Sequence, residues 1–198
     1  MGFFVADGNG AVAHLVDLEV EVLTDLGRVL LAMLGQEPRG PGDSAQPTAA
    51  PSAVEALATM VGIDDDAQRP DNPALARLLP DGYRDDDDAA GDFRRFTQGD
   101  LKAKKQADVQ ALLTDLVRGK QDPDAPESGA VVRLDSDGSR VWSRALNDMR
   151  LALGTSLGVS EADPRVRGDD PRLPLLEIYD WLTGLQSTLI DTLHPRSS

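Results

Sequence analysis

The chain has 198 residues, no cysteine and a formal net charge of −14 at pH 7. The length predicts a single domain over residues 1–198 with one sizeable core. The absence of cysteine excludes disulfides, thiolate metal sites and cysteine nucleophiles. The acidic charge repels phosphate backbones, so tight non-specific nucleic-acid binding would need a segregated basic patch. The sequence shows no basic-apolar leader and no long apolar run, which predicts a cytoplasmic protein without membrane contact.

The N-terminal part of the chain predicts a hairpin followed by a helix. Two apolar segments, residues 3–6 and 11–15, flank the sequence Asp-Gly-Asn-Gly, in which glycine and asparagine adopt positive φ at little cost. Asp17 is the predicted N-cap of the helix, which ends near Gly35. Residues 36–52 are rich in proline and glycine and are predicted to form a mobile loop.

Acidic residues dominate the middle of the chain. A helix is predicted from Ser52 to Met60, and Pro73 starts another short one. The Asp run at 85–88 favours the start of a long helix that ends near Gly119, because carboxylates stabilise the positive end of the helix dipole.

The C-terminal half predicts one strand and two strong helices. Residues 121–128 form a second predicted mobile loop, and 194–198 a frayed tail. Residues 130–134 are β-like and can pair with the hairpin. Apolar spacings of three, four and seven around Trp142 and Trp181 predict two helices with these rings as core anchors. The predicted class is mainly α, a compact helical bundle with a small antiparallel β-hairpin or three-stranded sheet.

Three motifs suggest chemistry that their context does not support. Residues 154–158 match G-x-S-x-G, but they end a predicted helix instead of following a strand. Residues 157–160 resemble the turn of a helix-turn-helix, but prolines interrupt the helix that should follow. The Asp runs and Asp135 lack the alternating ligands of a calcium loop and indicate solvated or helix-capping charge. His14 is predicted to be an ordinary strand histidine. We therefore predict no catalytic residue, no metal site and no cofactor.

Basic residues are concentrated in residues 94–120, directly after the acidic middle of the chain. Residues 94–120 have a net charge of +4, whereas residues 61–93 have −7. Such a segment can bind an acidic partner or a phosphate, or it can fold against the preceding acidic run. An intramolecular or solvated role is favoured, because charge runs usually lie on solvated faces and few aromatic residues are interleaved to stack on bases. The candidate basic partner surface consists of Arg94, Arg95, Lys102, Lys104 and Lys105.

Polar residues accompany the apolar positions of the last two helices. Arg144 and Asp148 are four apart and can pair along one helix. Tyr179 or Asp180 can meet Arg150 or Asn147 if the two helices pack together. A buried structural network is favoured over a ligand site, since nothing catalytic accompanies these groups. The candidate polar cluster consists of Arg144, Asn147, Asp148, Arg150, Tyr179, Asp180 and Trp181.

Four segments together resemble an actinobacterial family catalogued as a domain of unknown function: NPALARLLPDGYR at 72–84, FRRFT at 93–97, RALNDMRLALG at 144–154 and IYDWLT at 178–183. The resemblance implies a small helical cytoplasmic protein, often encoded beside the Clp adaptor ClpS, in a family that includes an oxidative-stress regulator. Redox sensing by a disulfide does not carry over, because this chain has no cysteine.

Three function hypotheses follow. The leading one is a non-enzymatic regulatory or protein-interaction module, acting in transcription or stress regulation, with an unidentified protein partner and with homodimerisation open. The alternative is a sequence-specific DNA-binding regulator that uses Arg140, Arg144 and Arg150 or the basic surface, although the net charge weighs against it. The third is an enzyme or small-ligand binder at the polar cluster.

Overall fold

A computed structural model describes residues 2–8, 10–35, 73–79, 99–159 and 170–194 of the chain. Its elements are β1 (Phe4–Asp7), β2 (Gly10–Val16), α1 (Asp17–Met33), α2 (Pro73–Leu78), α3 (Gly99–Gly119), β3 (Gly129–Leu134), α4 (Ser136–Ser156) and α5 (Leu173–Leu193). None of these described helices is both long enough and apolar enough to cross a bilayer.

Several predictions concern residues outside these described ranges. They are the loop at 36–52, the helix at 52–60, the Asp runs at 64–66 and 85–88, and residues 195–198 of the tail. Residues 89–98, which were predicted to belong to the long helix, also lie outside the described ranges, and α3 begins at Gly99.

The three strands form one antiparallel sheet in the order β1-β2-β3. Ala13 of β2 pairs with Phe4 on one side and with Val132 on the other. Ala11, Ala13 and Leu15 alternate along β2 and are buried, because alternate side chains of a strand point to the same face of the sheet. The predicted pairing of residues 130–134 with the hairpin is confirmed.

Helix α1 begins differently from the prediction. Asp17 is the first helical residue and not the N-cap, which is Val16 in extended conformation. The carboxylate of Glu19 accepts the Val16 N–H at 3.0 Å and the Gly2 N–H at 2.6 Å. A carboxylate at the third helical position reaches back to the capping residue, so Glu19, and not Asp17, accepts the hydrogen bonds at the start of the helix.

The core is one buried hydrophobic cluster with members from every described element. Trp142 of α4 is fully buried, and its ring meets Phe4 edge-to-face at 5.6 Å between centroids. Its indole N–H donates to Asp115 Oδ2 at 2.9 Å, which satisfies the buried donor. Helix α4 packs against α2, α3 and α5, so it is the central helix of the described structure. The mainly helical class with a three-stranded sheet is confirmed, whereas the single domain and the compact bundle stay predictions.

The ends of α4 explain two of the sequence motifs. Asp135 is the N-cap, and its carboxylate accepts the Gly138 N–H at 2.7 Å, which confirms the capping interpretation. The G-x-S-x-G sequence closes the same helix, and Gly158 has the positive φ of +66° common after a helix end. Residues 160–169, which would hold a recognition helix, lie outside the described ranges.

The segment at 121–128 is a series of turns beside β3. The Asp122 carboxylate accepts the Asp124 N–H at 2.9 Å and Arg133 Nε at 3.1 Å, and these bonds lower the pKa of Asp122. Arg133 also donates to Asp124 at 2.6 Å. The mobility of this segment stays a prediction.

Candidate functional site

A cleft of about 330 Å³ opens between α3 and α4, with one residue of α5 at its base. Most of its lining side chains are polar or charged: Leu101, Lys104, Lys105, Asp108, Ser143, Arg144, Asn147, Asp148 and Gln186. The volume is near the lower end of the range of about 300–1,000 Å³ that is typical of ligand pockets. We call this feature the α3–α4 cleft.

Two ion pairs cross the cleft. Arg144 donates from Nε and Nη2 to the two carboxylate oxygens of Asp108, both at 2.7 Å. Lys105 Nζ donates to Asp148 Oδ1 at 2.6 Å. The pairing of Arg144 with Asp148 along α4 that the sequence suggested is replaced by these contacts, because α3 offers each residue a partner of opposite charge at hydrogen-bond distance.

The carboxylates of these pairs lie deeper than the cations. The side chains of Asp108 and Asp148 are 9% and 4% exposed, whereas that of Arg144 is 43% exposed. Burial raises the pKa of Asp148 in spite of the Lys105 ammonium beside it. The hydrogen bonds to Asp108 raise the pKa of Arg144. Solvent at the cleft therefore meets cations first.

Three lining side chains are left with unused hydrogen-bonding capacity. Lys104 is exposed and makes no ion pair with any described residue. Within the same ranges, the Asn147 carboxamide and the Ser143 hydroxyl make no hydrogen bond. Each of these groups is available to a ligand at the cleft.

A second polar network joins α4 to α5. Arg150 donates to Thr183 Oγ1 at 2.9 Å and to Gln186 Oε1 at 2.6 Å. Gln186 Nε2 in turn donates to the Ser143 carbonyl at 2.9 Å. Gln186 is buried and also lines the α3–α4 cleft, so it links the two networks.

The ring of Tyr179 completes this α4–α5 network. The Arg150 guanidinium carbon lies 5.4 Å from the ring centroid, within the range of a cation–π contact. A Cβ atom on Gly154 would lie only 2.9 Å from Tyr179 Cε2, so the ring packs directly on the α4 backbone.

The chain matches the family described as "Domain of unknown function (DUF2017)" over residues 1–193. It belongs to that family.

The oxidative stress regulator AosR of Mycobacterium tuberculosis H37Rv is 30% identical over 199 residues, which cover 93% of this chain and 82% of that protein. The AosR protein of Mycobacterium bovis gives the same values. A Mycobacterium leprae protein of similar name is 32% identical over 187 residues, or 87% of this chain and 77% of that protein. No solved structure is significantly similar to the chain.

The predicted polar cluster of this family member divides into two groups. Arg144, Asn147 and Asp148 line the α3–α4 cleft, whereas Arg150 and Tyr179 meet in the α4–α5 network. Two members belong to neither: Asp180 is exposed, and Trp181 is 7% exposed with an indole N–H that has no hydrogen-bond partner.

The predicted basic surface is only partly described. Lys104 and Lys105 line the cleft, and Lys102 lies near Gly35, on the side of α1. Arg94 and Arg95 lie outside the described residues. Among the described residues, no group of three or more His, Asp or Glu side chains is arranged to hold a metal ion. His14 is exposed on β2.

Sequence reasoning missed three residues that complete the two networks: Asp108, Thr183 and Gln186. A signal for Asp108 was present. Lys105 and Asp108 are three apart on α3, and Arg144 and Asp148 on α4 carry the opposite charges in the order that an antiparallel packing of the two helices would match.

Proposed function

We propose that this chain is a non-enzymatic, cytoplasmic regulator that acts by binding a protein partner at the α3–α4 cleft. The observation that carries the proposal is the state of the cleft side chains. Lys104, Ser143 and Asn147 line an open volume, and their side chains have no partner among the described residues. In the α4–α5 network, by contrast, Arg150 donates to both Thr183 and Gln186.

Two facts support a role in the response to oxidative stress. The chain belongs to a family whose mycobacterial relatives carry the name oxidative stress regulator, and the alignment covers most of both proteins. The chain has no cysteine, so any role in this response does not use thiols of its own.

The chemistry of the cleft supports binding over catalysis. Each of its carboxylates already accepts a short hydrogen bond from a cation, which leaves neither in the role of a free general base. His14 and His194 do not line the cleft, so no lining hydroxyl has an imidazole beside it.

The alternative of DNA binding loses support from the arginines that it would use. Arg140 donates to Asp137 at 2.8 Å, Arg144 donates from two of its three guanidinium nitrogens to Asp108, and Arg150 donates to Thr183 and Gln186 of α5. Phosphate contacts require cations that can be surrendered to the backbone of DNA. Gel-shift assays in which the affinity of the chain for operon DNA falls steeply as the salt concentration rises would favour this alternative.

Complementation tests the proposed function. A host strain that lacks this chain is challenged with peroxide after receiving the wild type, Lys104→Glu, Asn147→Ala or the matched control Arg77→Glu. Arg77 is exposed on α2 and is not among the residues that line the cleft. We expect the wild type and Arg77→Glu to restore survival and the two cleft variants to fail. Full restoration by both cleft variants would contradict the proposal.

A further inference from the structure

We infer that the segment bound at the α3–α4 cleft is an extended acidic peptide of the partner protein, with at least one apolar side chain. This inference rests on the proposed function and specifies the chemistry of the partner. Three properties of the cleft carry it: the sign of its exposed charge, its unused hydrogen-bonding groups and its apolar margin.

The exposed charge of the cleft is positive although the chain as a whole is strongly acidic. Lys104 is exposed and unpaired among the described residues, and Arg144 uses Nε and Nη2 on Asp108, so its Nη1 stays free to donate. The two carboxylates lie beneath these cations and are already paired. A carboxylate arriving from solvent would therefore meet a lysine and half of an arginine fork before it meets a like charge.

The hydrogen-bonding groups fit a peptide backbone. The Asn147 carboxamide presents one acceptor and two donors, which match the C=O and N–H of an extended peptide unit. The Ser143 hydroxyl lies one helical turn before it on the same helix and can donate or accept as required. A lone phosphate would leave the acceptor of Asn147 unused.

The margin of the cleft is apolar at one position. Leu101 lies on α3, three residues before Lys104, and is 36% exposed. An apolar side chain of a bound segment can cover this surface while neighbouring carboxylates reach the cations, which gives the contact a specificity that charge alone lacks. Nucleic acid fits poorly, because two available cations offer few phosphate contacts and the chain as a whole has a net charge of −14.

Binding of a defined probe tests this inference. The probe is a fluorescein-labelled peptide, Gly-Asp-Glu-Leu-Asp-Glu-Gly, followed by fluorescence polarisation and by amide chemical shifts of the ¹⁵N-labelled full chain. The comparison probes are the same peptide with Asn and Gln in place of Asp and Glu, and a short duplex DNA. We expect the acidic peptide alone to bind and the shifted amides to cluster around Leu101, Lys104 and Asn147.

Variants separate a specific cleft from general electrostatic attraction. Lys104→Glu should weaken binding of the acidic peptide about tenfold or more, because it places a like charge at the mouth. Arg77→Glu makes the same change in net charge on α2 and should alter the affinity by less than about twofold. Asn147→Ala should weaken binding with little effect on its salt dependence.

Equal losses of peptide affinity in Lys104→Glu and Arg77→Glu would overturn the inference. Equal binding of the neutral and the acidic peptide, tighter binding of the duplex DNA, or amide shifts that lie away from the cleft would also overturn it. If the peptide fails while the cleft variants still abolish complementation, the acidic chemistry is wrong and the proposed function stands. If complementation survives the cleft variants, the proposed function itself falls.

Discussion

Helix α4 takes part in two polar networks, one with α5 and one with α3. They differ in whether polar side chains beside them lack a hydrogen-bond or ion-pair partner among the described residues. Toward α5, Arg150 donates to two hydrogen-bond acceptors and contacts an aromatic ring. Toward α3, the two ion pairs are as short, but a cleft opens beside them and leaves Lys104 and Asn147 unused.

This difference indicates a structural role for the α4–α5 network and a binding role for the α3–α4 cleft, because the two regions differ in whether their polar groups have hydrogen-bond partners. A polar group that is buried and fully partnered fixes the register of two helices, because any shift would leave it unpaired. A polar group at an open cleft without a partner contributes little to folding and is free for a ligand. Substitutions should therefore affect stability in the first network and binding at the mouth of the second.

The largest expected effect comes from the buried base of the cleft. Lys105→Met leaves Asp148 buried without its partner and should lower the free energy of unfolding by about 3 kcal/mol. The matched variant Lys104→Met, one residue away and without an ion pair to any described residue, should change the free energy of unfolding by less than about 0.5 kcal/mol. Urea unfolding followed by circular dichroism measures both.

The double variant Lys105→Met with Asp148→Leu sharpens this prediction. It removes both charges, so most of the lost stability should return. If the double variant is no more stable than Lys105→Met, the cost of the single substitution does not arise from the unpaired carboxylate.

Arg150→Ala should cause the next largest loss of stability. It leaves the buried Gln186 oxygen without its donor and removes the cation from the Tyr179 ring, at a cost of about 2 kcal/mol. Arg150→Lys should recover only part of the stability lost in Arg150→Ala, because an ammonium cannot place two donors in one plane and stack on the ring. Thermal unfolding of the two variants measures the difference, and full recovery by lysine would show that charge alone suffices.

Gly154→Ala tests the close contact between α4 and the Tyr179 ring. The added Cβ would lie 2.9 Å from Tyr179 Cε2, so the packing strain should exceed the gain in helix propensity and destabilise the chain by about 1 kcal/mol. In a Tyr179→Ala background the contact is absent and the same substitution should be stabilising. Chemical denaturation of all four proteins gives the sign in each background; the same sign in both would contradict the packing account.

The smallest effect is a dependence on pH. Burial raises the pKa of Asp148 in the folded state above its ordinary value of 3.8, so the folded chain holds this proton more firmly than the unfolded chain. The contribution of Asp148 to stability therefore falls as pH rises from about 4 through its folded pKa. The stability of Asp148→Asn relative to the wild type should rise over that interval, as measured by urea unfolding at several pH values. A relative stability that falls there would mean that Lys105 outweighs burial.

Local signals in the sequence predicted much of the fold. The hairpin, the third strand and the two C-terminal helices follow from turn residues and from apolar periodicity, which act over a few neighbouring positions. The start of α1 was predicted one residue too late and with the wrong capping residue, because Asp17 and Glu19 carry the same chemical signal and the sequence does not show which one reaches the free N–H groups.

The candidate site depended on information that is not local. Arg144 and Asp148 have the spacing of a pair along one helix, and only the packing of α3 against α4 decides that each binds across the interface instead. Tyr179 or Asp180 was predicted to meet Arg150 or Asn147 if the two helices pack together, and the contact that forms joins Tyr179 to Arg150. Asp180 is one residue further along α5, and it faces solvent. One position changes the direction of a helical side chain by about 100°.

Site-specific photocross-linking in the host cell tests the central claim most directly. A benzophenone amino acid is placed at Ala107, which is exposed on α3 three residues after Lys104 and is not one of the lining residues, or at Ser187, which is exposed on α5 beside the α4–α5 network. Position 107 should give a discrete adduct with one protein that is lost when Lys104→Glu is added, and position 187 should give none. An adduct from position 187 alone, or adducts at 107 that survive Lys104→Glu, would contradict the assignment of partner binding to the α3–α4 cleft.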